Sequence, residues 1–375
     1  MISINGQMVN KDIKYLDLSF NQLTKIPVEI LQLKQLTTLY LNNNQLTNLS
    51  LEDIDIWQLT QLTELDLSNN KLTQLSEDIG KLTKLTELHL HYNQLTSLPV
   101  EIGKLTQLRQ LILYNNQLTQ LPVEIGKLTQ LIKLIVYNNQ LTHLPIELGQ
   151  LIQLTILDLS SNNLTQIPEE LGQLTQLITL YLNNNRLTYI PVEIGQLKQL
   201  TELYLYNNLL TYLPVEIGHL IQLSILYLYD NLLTYLPVEI GKLVQLTILG
   251  LSNNNLTHLP EEICLLEKLN KLYLNNNHLT YIPEEIGQLT QLTILNLYNN
   301  KLTILPVDIM KLTNLTTLYL YNNPIETSLN LNNNQLLQVI ENRIIQLYNN
   351  TIYTEVQTFQ PYLLQPLQPL INFNL

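Results

Sequence analysis

The chain has 375 residues, a formal net charge of −12 and a pI near 4.9, with 19 Lys and Arg against 31 Asp and Glu. That balance argues against a phosphate-tracking nucleic-acid binder and against a protein held by charge to anionic lipid, because both need basic surface. The single cysteine, Cys264, allows no intramolecular disulfide and fits a reducing compartment.

From the N-terminus, MISINGQMVNKDIKYLDL lacks a basic segment followed by a long apolar core, and no run in the chain approaches the ~18 apolar residues of a membrane span. Residues 1–12 are read as an N-terminal cap and the protein as cytoplasmic, with no membrane insertion. A pattern L-x-x-L-x-L-x-x-N-x-L then begins at Ile13 and Leu36. It resumes at Leu62 after a three-residue insertion around Glu52 to Trp57, and from Leu85 to Leu315 it recurs every 23 residues. Residues 13–325 thus hold fourteen units, too regular for chance, and the repeat replaces any division into separate globular domains.

Each unit assigns work to its residues. The x-L-x-L-x core predicts a short strand with leucines inward, and stacked units predict one parallel sheet whose inner arc spans roughly 65 Å at the usual strand spacing. The Asn closing each strand segment is present in every unit, from Asn21 and Asn44 to Asn300 and Asn323, and predicts a ladder of inward amides that satisfies the backbone where it leaves the strand. The second half, typified by LPVEIGKLTQL, predicts an outer helical turn that Pro opens and an early Glu stabilises against the helix dipole. Most of the acidic charge thereby falls on a solvated outer wall. Cys264 stands where most units carry Gly, which reads as a structural substitution. After residue 325 the period is lost. Residues 326–375 are read as a C-terminal cap, with either a degenerate repeat at 345–352 or an amphipathic capping helix at 335–347, followed by a Pro-interrupted tail.

The consensus LTxLPVEIGxLTQLTxLYLxNNQLT resembles the 23-residue intracellular leucine-rich repeats of the Ras-suppressor type, found in plant Ras-group repeat proteins and in scaffolds such as Scribble and Erbin. The resemblance covers residues 13–325. It implies an α/β solenoid, a leucine-rich repeat horseshoe with a parallel concave β-sheet and short helical or 3-10 convex segments. It also implies a concave face that binds small GTPases, phosphatase subunits or other proteins. The chain departs from multidomain relatives of this type: it has no GxxxxGK[ST] phosphate loop, no PDZ-like appendage and no C-terminal cysteine domain.

No H-E-x-x-H, C-x-x-C, G-x-S-x-G or EF-hand pattern occurs, and an open wall of strands offers no enclosed pocket, so no catalytic residue and no cofactor are expected. Period-two alternation instead singles out the concave columns. One carries Asp66, His89, Tyr181, Tyr204, Tyr227, Tyr273 and Tyr319. The column two residues later carries His91, Tyr114, Tyr137, Tyr206, Tyr229, Tyr298 and Tyr321. With Tyr15, Tyr40 and Tyr92 these columns concentrate most of the chain's 21 tyrosines on one face, although an AT-rich genome would by itself raise tyrosine throughout. Tyrosine joins a broad apolar face to a hydrogen-bonding tip, which suits binding, but neighbours at the strand spacing also stack on one another. Ile132, Ile156, Ile178, Ile225, Ile248 and Ile294 extend the apolar character. Toward the N-terminus, Glu64, Asp66, Glu87, His89 and His91 can be read as transition-metal ligands or as a charged patch for a basic partner segment. The second reading is adopted, with no metal.

The function expected is therefore that of a monomeric, non-enzymatic scaffold in small-GTPase-type signalling. The alternatives are a substrate or targeting adaptor for a phosphatase or ubiquitin ligase, and a ligand-sensing repeat protein.

Overall fold

The computed structural model describes residues 1–47, 50–51 and 54–325. An antiparallel hairpin opens the chain, β1 (Ile2–Ile4) and β2 (Gln7–Val9), joined by Asn5 and Gly6. Both turn residues have positive φ, 47° and 80°, as a two-residue hairpin turn requires. Ile2 and Ile4 are buried against the first repeat layer, which a bare solenoid end would expose.

Fourteen three-residue strands then form one parallel sheet in which each strand lies beside the next in the chain. They are β3 (Tyr15–Asp17), β4 (Thr38–Tyr40), β7 (Glu64–Asp66), β8 (Glu87–His89), β9 (Gln110–Ile112), β10 (Lys133–Ile135), β11 (Ile156–Asp158) and β12 (Thr179–Tyr181). The series continues with β13 (Glu202–Tyr204), β14 (Ile225–Tyr227), β15 (Ile248–Gly250), β16 (Lys271–Tyr273), β17 (Ile294–Asn296) and β18 (Thr317–Tyr319). The insertion before β7 forms a small antiparallel pair, β5 (Ser50–Leu51) and β6 (Ile54–Asp55), and delivers Trp57 fully into the core. The register advances by one unit per strand, so Leu203 meets Leu226 and Tyr204 meets Tyr227. Leu203 and Leu205 are wholly buried, as are their counterparts through most of the array, giving one continuous leucine core.

The outer segments are all single 3-10 turns. Val215–His219 is typical: Glu216 sits in its first turn, Ile217 is buried, and Leu220 closes it by donating to the Ile217 carbonyl. Pro214 does not open the turn from inside, as the sequence pattern suggested. It is the residue before it, extended at φ −66° and ψ 150°, and turns the chain from the sheet edge into the 3-10 segment. Gly218 is required by close approach, since a Cβ there would lie 2.5 Å from the Glu239 carbonyl oxygen. Cys264 fills the equivalent place, almost fully buried, where its turn packs less closely on the next. Burial pushes its thiol up to about 12, so it stays protonated and inert.

The conserved spacing of the Asn column has a direct geometric result. Asn208 donates to the carbonyls of Leu182 and Leu205, both at 3.0 Å, and accepts the Leu187 N–H at 3.0 Å. Each such side chain therefore binds its own repeat to the preceding one, and the pattern runs from Asn44 to Asn323.

A second ladder, not recognised from the sequence, lies one residue earlier. Asn43, Asn69, Asn115, Asn138, Asn184, Asn207, Asp230, Asn253, Asn276, Asn299 and Asn322 all have φ between 49° and 60°. Asn tolerates this left-handed region better than most residues. Their side chains link successive turns, as in Asn207 to Asn184 at 2.8 Å and Asn253 to Asp230 at 2.6 Å. At the C-terminal end, Leu318 and Leu320 are only partly buried. The cap, the degenerate repeat and the tail expected over residues 326–375 lie outside the described residues.

The two ladders differ in burial and should differ in energetic weight. Asn208→Ala leaves the Leu187 N–H unpaired in the core and takes one of two amide donors from each of the Leu182 and Leu205 carbonyls, which keep those of Asn185 and Asn231, and we predict a loss of about 1–3 kcal/mol in urea unfolding. Asn207→Gly keeps the left-handed backbone available and should cost less than about 1 kcal/mol.

Candidate binding face on the concave sheet

The sheet register carries each tyrosine column across the concave side at the strand spacing, which is also a ring-stacking distance. Tyr114 and Tyr137 stack with centroids 4.5 Å apart and planes 7° off parallel. His91 extends this stack from Tyr114 at 4.4 Å, and Tyr92 meets Tyr114 edge-on at 5.3 Å. A second group joins Tyr181 to Tyr204 at 4.5 Å and Tyr206 to Tyr229 at 4.3 Å. Tyr227 ties its two columns together, tilted against Tyr204 at 5.6 Å and edge-on to Tyr229 at 5.7 Å. Tyr298 and Tyr321 form a third, looser pair at 6.1 Å, while Tyr273 and Tyr319 stand opposite Gly250 and Asn296 in the register.

Gly250 explains the tilt of Tyr227. A Cβ at Gly250 would come within 2.6 Å of the Tyr227 ring, so the ring leans over the glycine into space that any side chain would occupy. Tyr92 occupies a left-handed position, φ 52°, that Asn holds in neighbouring repeats, and so it interrupts the outer amide ladder to place a ring beside His91 and Tyr114.

The polar groups of this face are mostly held in their neutral forms. Burial pushes the Tyr114 and Tyr181 hydroxyls up to about 12, and those of Tyr204 and Tyr229 higher still, so all of them are donors at physiological pH. Tyr40 donates to Glu64 at 2.7 Å, and Tyr204 to Glu202 at 3.0 Å. Burial pushes His91 down to about 4, so it acts as a neutral stacked ring. His89 lies 3.8 Å from Glu87, and Glu64 and Asp66 lie opposite Glu87 and His89 on the adjacent strand. Among the described residues, no group of three or more His, Cys, Asp or Glu is arranged to hold a metal ion. A shallow depression beside this patch, at one edge of the sheet, is lined by Glu87, Arg109, Gln110, Ile132 and Lys133.

Strand alternation also places Ile112, Ile135 and Asp158 in the column of His89 and Tyr181, yet these three are not open to solvent. They are buried, at 6%, 8% and 9% exposure, because short side chains in this column sit below the level of the histidine and tyrosine rings around them. Asp158 is the residue that sequence reasoning passed over. Its Oδ1 accepts the Ser160 N–H at 2.9 Å and the Ser160 hydroxyl at 2.6 Å, a strand-end turn that Asp17 and Asp66 also make with the N–H groups of Ser19 and Ser68. The flanking ridge, Tyr189, Tyr212, Tyr235 and Tyr281, is exposed at one rim.

Models of leucine-rich repeats match residues 11–72, 129–187, 152–210 and 267–325, a model of a leucine-rich repeat region matches 50–140, and a single-repeat model matches 245–266. Among curated proteins nothing matches the chain. A leucine-rich repeat protein of Leptospira interrogans is 40% identical over 90% of this chain and 95% of its own, with a TM-score of 0.61. The plant peptide hormone receptor RGFR1, solved in complex with RGF2, is 34% identical over 84% of this chain, which spans 52% of the receptor, with a TM-score of 0.75. An internalin of Listeria monocytogenes is 27% identical over 83% of this chain and 87% of its own, with a TM-score of 0.70. No helix among the described residues is long and apolar enough to cross a membrane.

Burial raises the Asp158 carboxyl from its ordinary value to about 6. A carboxyl raised in the fold contributes stability that is full below the unfolded value near 3.8 and is lost as pH rises through about 6. Asp158→Asn keeps an acceptor for Ser160 but removes the titration. Relative to the variant, the parent protein should lose roughly 1–3 kcal/mol between acid and neutral pH. A stability difference that stays flat across that window would contradict the assignment.

Proposed function

Because the chain belongs to the leucine-rich repeat family, whose members are in general protein-interaction modules, we propose that it is a non-enzymatic scaffold that grips one protein partner on its concave face. The observation that carries this reading is the concentration of tyrosine on that face, in stacks that order the rings along the columns. Rings already ordered by stacking lose little further freedom on binding, and they offer both apolar surface and hydrogen bonds. Tyr181, Tyr204, Tyr206, Tyr227 and Tyr229 form the broad central platform. Tyr114 and Tyr137 widen it on one side, and Tyr273, Tyr298, Tyr319 and Tyr321 on the other. Glu64, Asp66, Glu87 and the neutral His91 set the orientation of a partner that carries basic residues toward the N-terminal repeats.

The resemblance of the repeat consensus to the Ras-suppressor type supports a small-GTPase-type partner and a cytoplasmic setting for a monomeric chain. A second reading, capture of an extended peptide, is supported by the similar plant receptor that was solved with RGF2. Both readings use the same concave rings, so one experiment addresses both.

Affinity capture from native lysate should compare the parent with Tyr→Ser and Tyr→Phe substitutions at 204, 206, 227 and 229, and with Ser at the outer-wall residues Val192, Val215 and Val238. Loss of stacking makes the Ser variant less stable by about 1 kcal/mol per pair, which urea unfolding will register, while the Phe variant keeps the stacks. The expected outcome is capture abolished by Ser, weakened by Phe and unaffected by the outer-wall changes. Capture that survives the Ser variant, or is lost only with the outer-wall residues, would overturn the reading.

A further inference from the structure

Between the first two aromatic groups the concave face changes character. The column that carries Tyr114 and Tyr137 continues with Ser160 and Asn183 before it resumes at Tyr206 and Tyr229, and the adjacent column passes from Ile135 through Asp158 to Tyr181. Because each tyrosine pair is stacked along its column, Tyr137 and Tyr206 present their free faces to the gap from opposite ends. Tyr181, stacked on Tyr204, presents its free face to Asp158. At the strand spacing, Ile135 and Tyr181 stand about 10 Å apart across Asp158, and Tyr137 and Tyr206 about 14 Å apart across Ser160 and Asn183.

Two observations mark this gap as more than an interruption. Asp158 is a buried carboxylate with one oxygen engaged by Ser160 and no hydrogen bond to its Oδ2 among the described residues. Its charge acts on the hydroxyls of Tyr137, Tyr181 and Tyr206, and Lys133 is the cation that acts on it, without closing to an ion pair. The second observation is Asn183. It is only 5% exposed, it borders Tyr206, and its Oδ1 has no hydrogen-bond partner. A buried amide oxygen left in this condition is costly, and a donor that also carries positive charge relieves it while pairing with the carboxylate beside it.

We propose that the gap over Asp158 is a subsite for one cationic side chain, a guanidinium or an ammonium group, presented by a peptide segment that crosses the concave sheet between Tyr137 and Tyr206. The cation lies against the face of Tyr181, as cations do on aromatic rings, and pairs with Asp158 Oδ2. Glu202, hydrogen-bonded to Tyr204 within β13, beside the strand of Tyr181, adds negative potential at the Tyr181 ring. A neutral polar group in the same place would satisfy hydrogen bonds but leave the buried charge unpaired. The inference rests on the concave-face reading and names the chemistry at its centre. It also distinguishes Asp158 from Asp17 and Asp66, which make the same turn with no aromatic stacks on both sides.

The test uses the full chain with ring-labelled tyrosine and two probes, the pentapeptide Gly-Gly-Arg-Gly-Gly blocked at both ends and its citrulline counterpart, which has the same shape and no charge. The arginine peptide should shift the Tyr181, Tyr137 and Tyr206 ring signals saturably in the millimolar range. The citrulline peptide, and the arginine peptide on Asp158→Asn, should bind at least about tenfold more weakly. Equal binding of the two peptides, binding unchanged in Asp158→Asn, or no saturable shift at these rings would overturn the subsite. If the subsite fails while Tyr→Ser substitution still abolishes partner capture, the scaffold reading stands without it. If capture is indifferent to the tyrosines, that reading has failed on its own evidence.

Discussion

The buried asparagine bridge is the constraint on which the rest of the structure depends. One side chain, with two donors and one acceptor oxygen, ties a repeat to its predecessor through two hydrogen bonds and to its own strand end through a third, inside a leucine core where water cannot substitute. Unpaired, those backbone groups would each cost of the order of 1–3 kcal/mol, so any slip of one repeat against the next is strongly opposed. The register that results is the same from strand to strand, and it converts a sequence period into straight columns of side chains. A three-residue insertion before β7 is accommodated outside the ladder, as a small strand pair and a buried Trp57, and the columns continue past it unbroken.

Columns at the strand spacing give tyrosine two roles that do not compete. Ring faces within each stack are shared along the column, which adds to stability, while the faces at the ends of the stacks stay open and the hydroxyls remain neutral. The stacking and binding interpretations of these residues are therefore parts of one arrangement. The platform is also interrupted at defined places. Gly250 lets Tyr227 lean and lock two columns together, and Asp158, Ser160 and Asn183 leave a polar gap between two aromatic walls. The convex side, by contrast, is a row of short turns with half-buried Glu and singly exposed Val, the same in nearly every repeat and so without a feature that concentrates recognition.

Much of this was legible in the sequence because it is periodic. Leucine spacing, the Asn column and strand alternation each repeat every 23 residues, and any one of them predicts the parallel sheet and the face on which Tyr204 and Tyr206 lie. What was not legible depends on neighbours a full repeat away. The burial of Asp158 follows from rings at Tyr137, Tyr181 and Tyr206, and the same LDLS segment is more open at Asp17 and Asp66, where such rings do not stand on both sides. The left-handed Asn ladder was hidden in plain doublets such as Asn207 and Asn208, since only backbone geometry separates the inward amide from the outward one. Pro214 was placed one position too far into its turn because a five-residue 3-10 segment leaves the pattern no second turn with which to set its boundary.

If the register of asparagine-linked repeats exists to present the tyrosine columns, a bound partner must cover them. The direct measurement is an amide hydrogen-exchange footprint of the intact chain with its captured partner, compared with the free chain. Added protection concentrated on the strands and strand-end turns of the central repeats, β11 to β14, is the expected result. Protection confined to the outer 3-10 turns, with the concave strands unchanged, would contradict it.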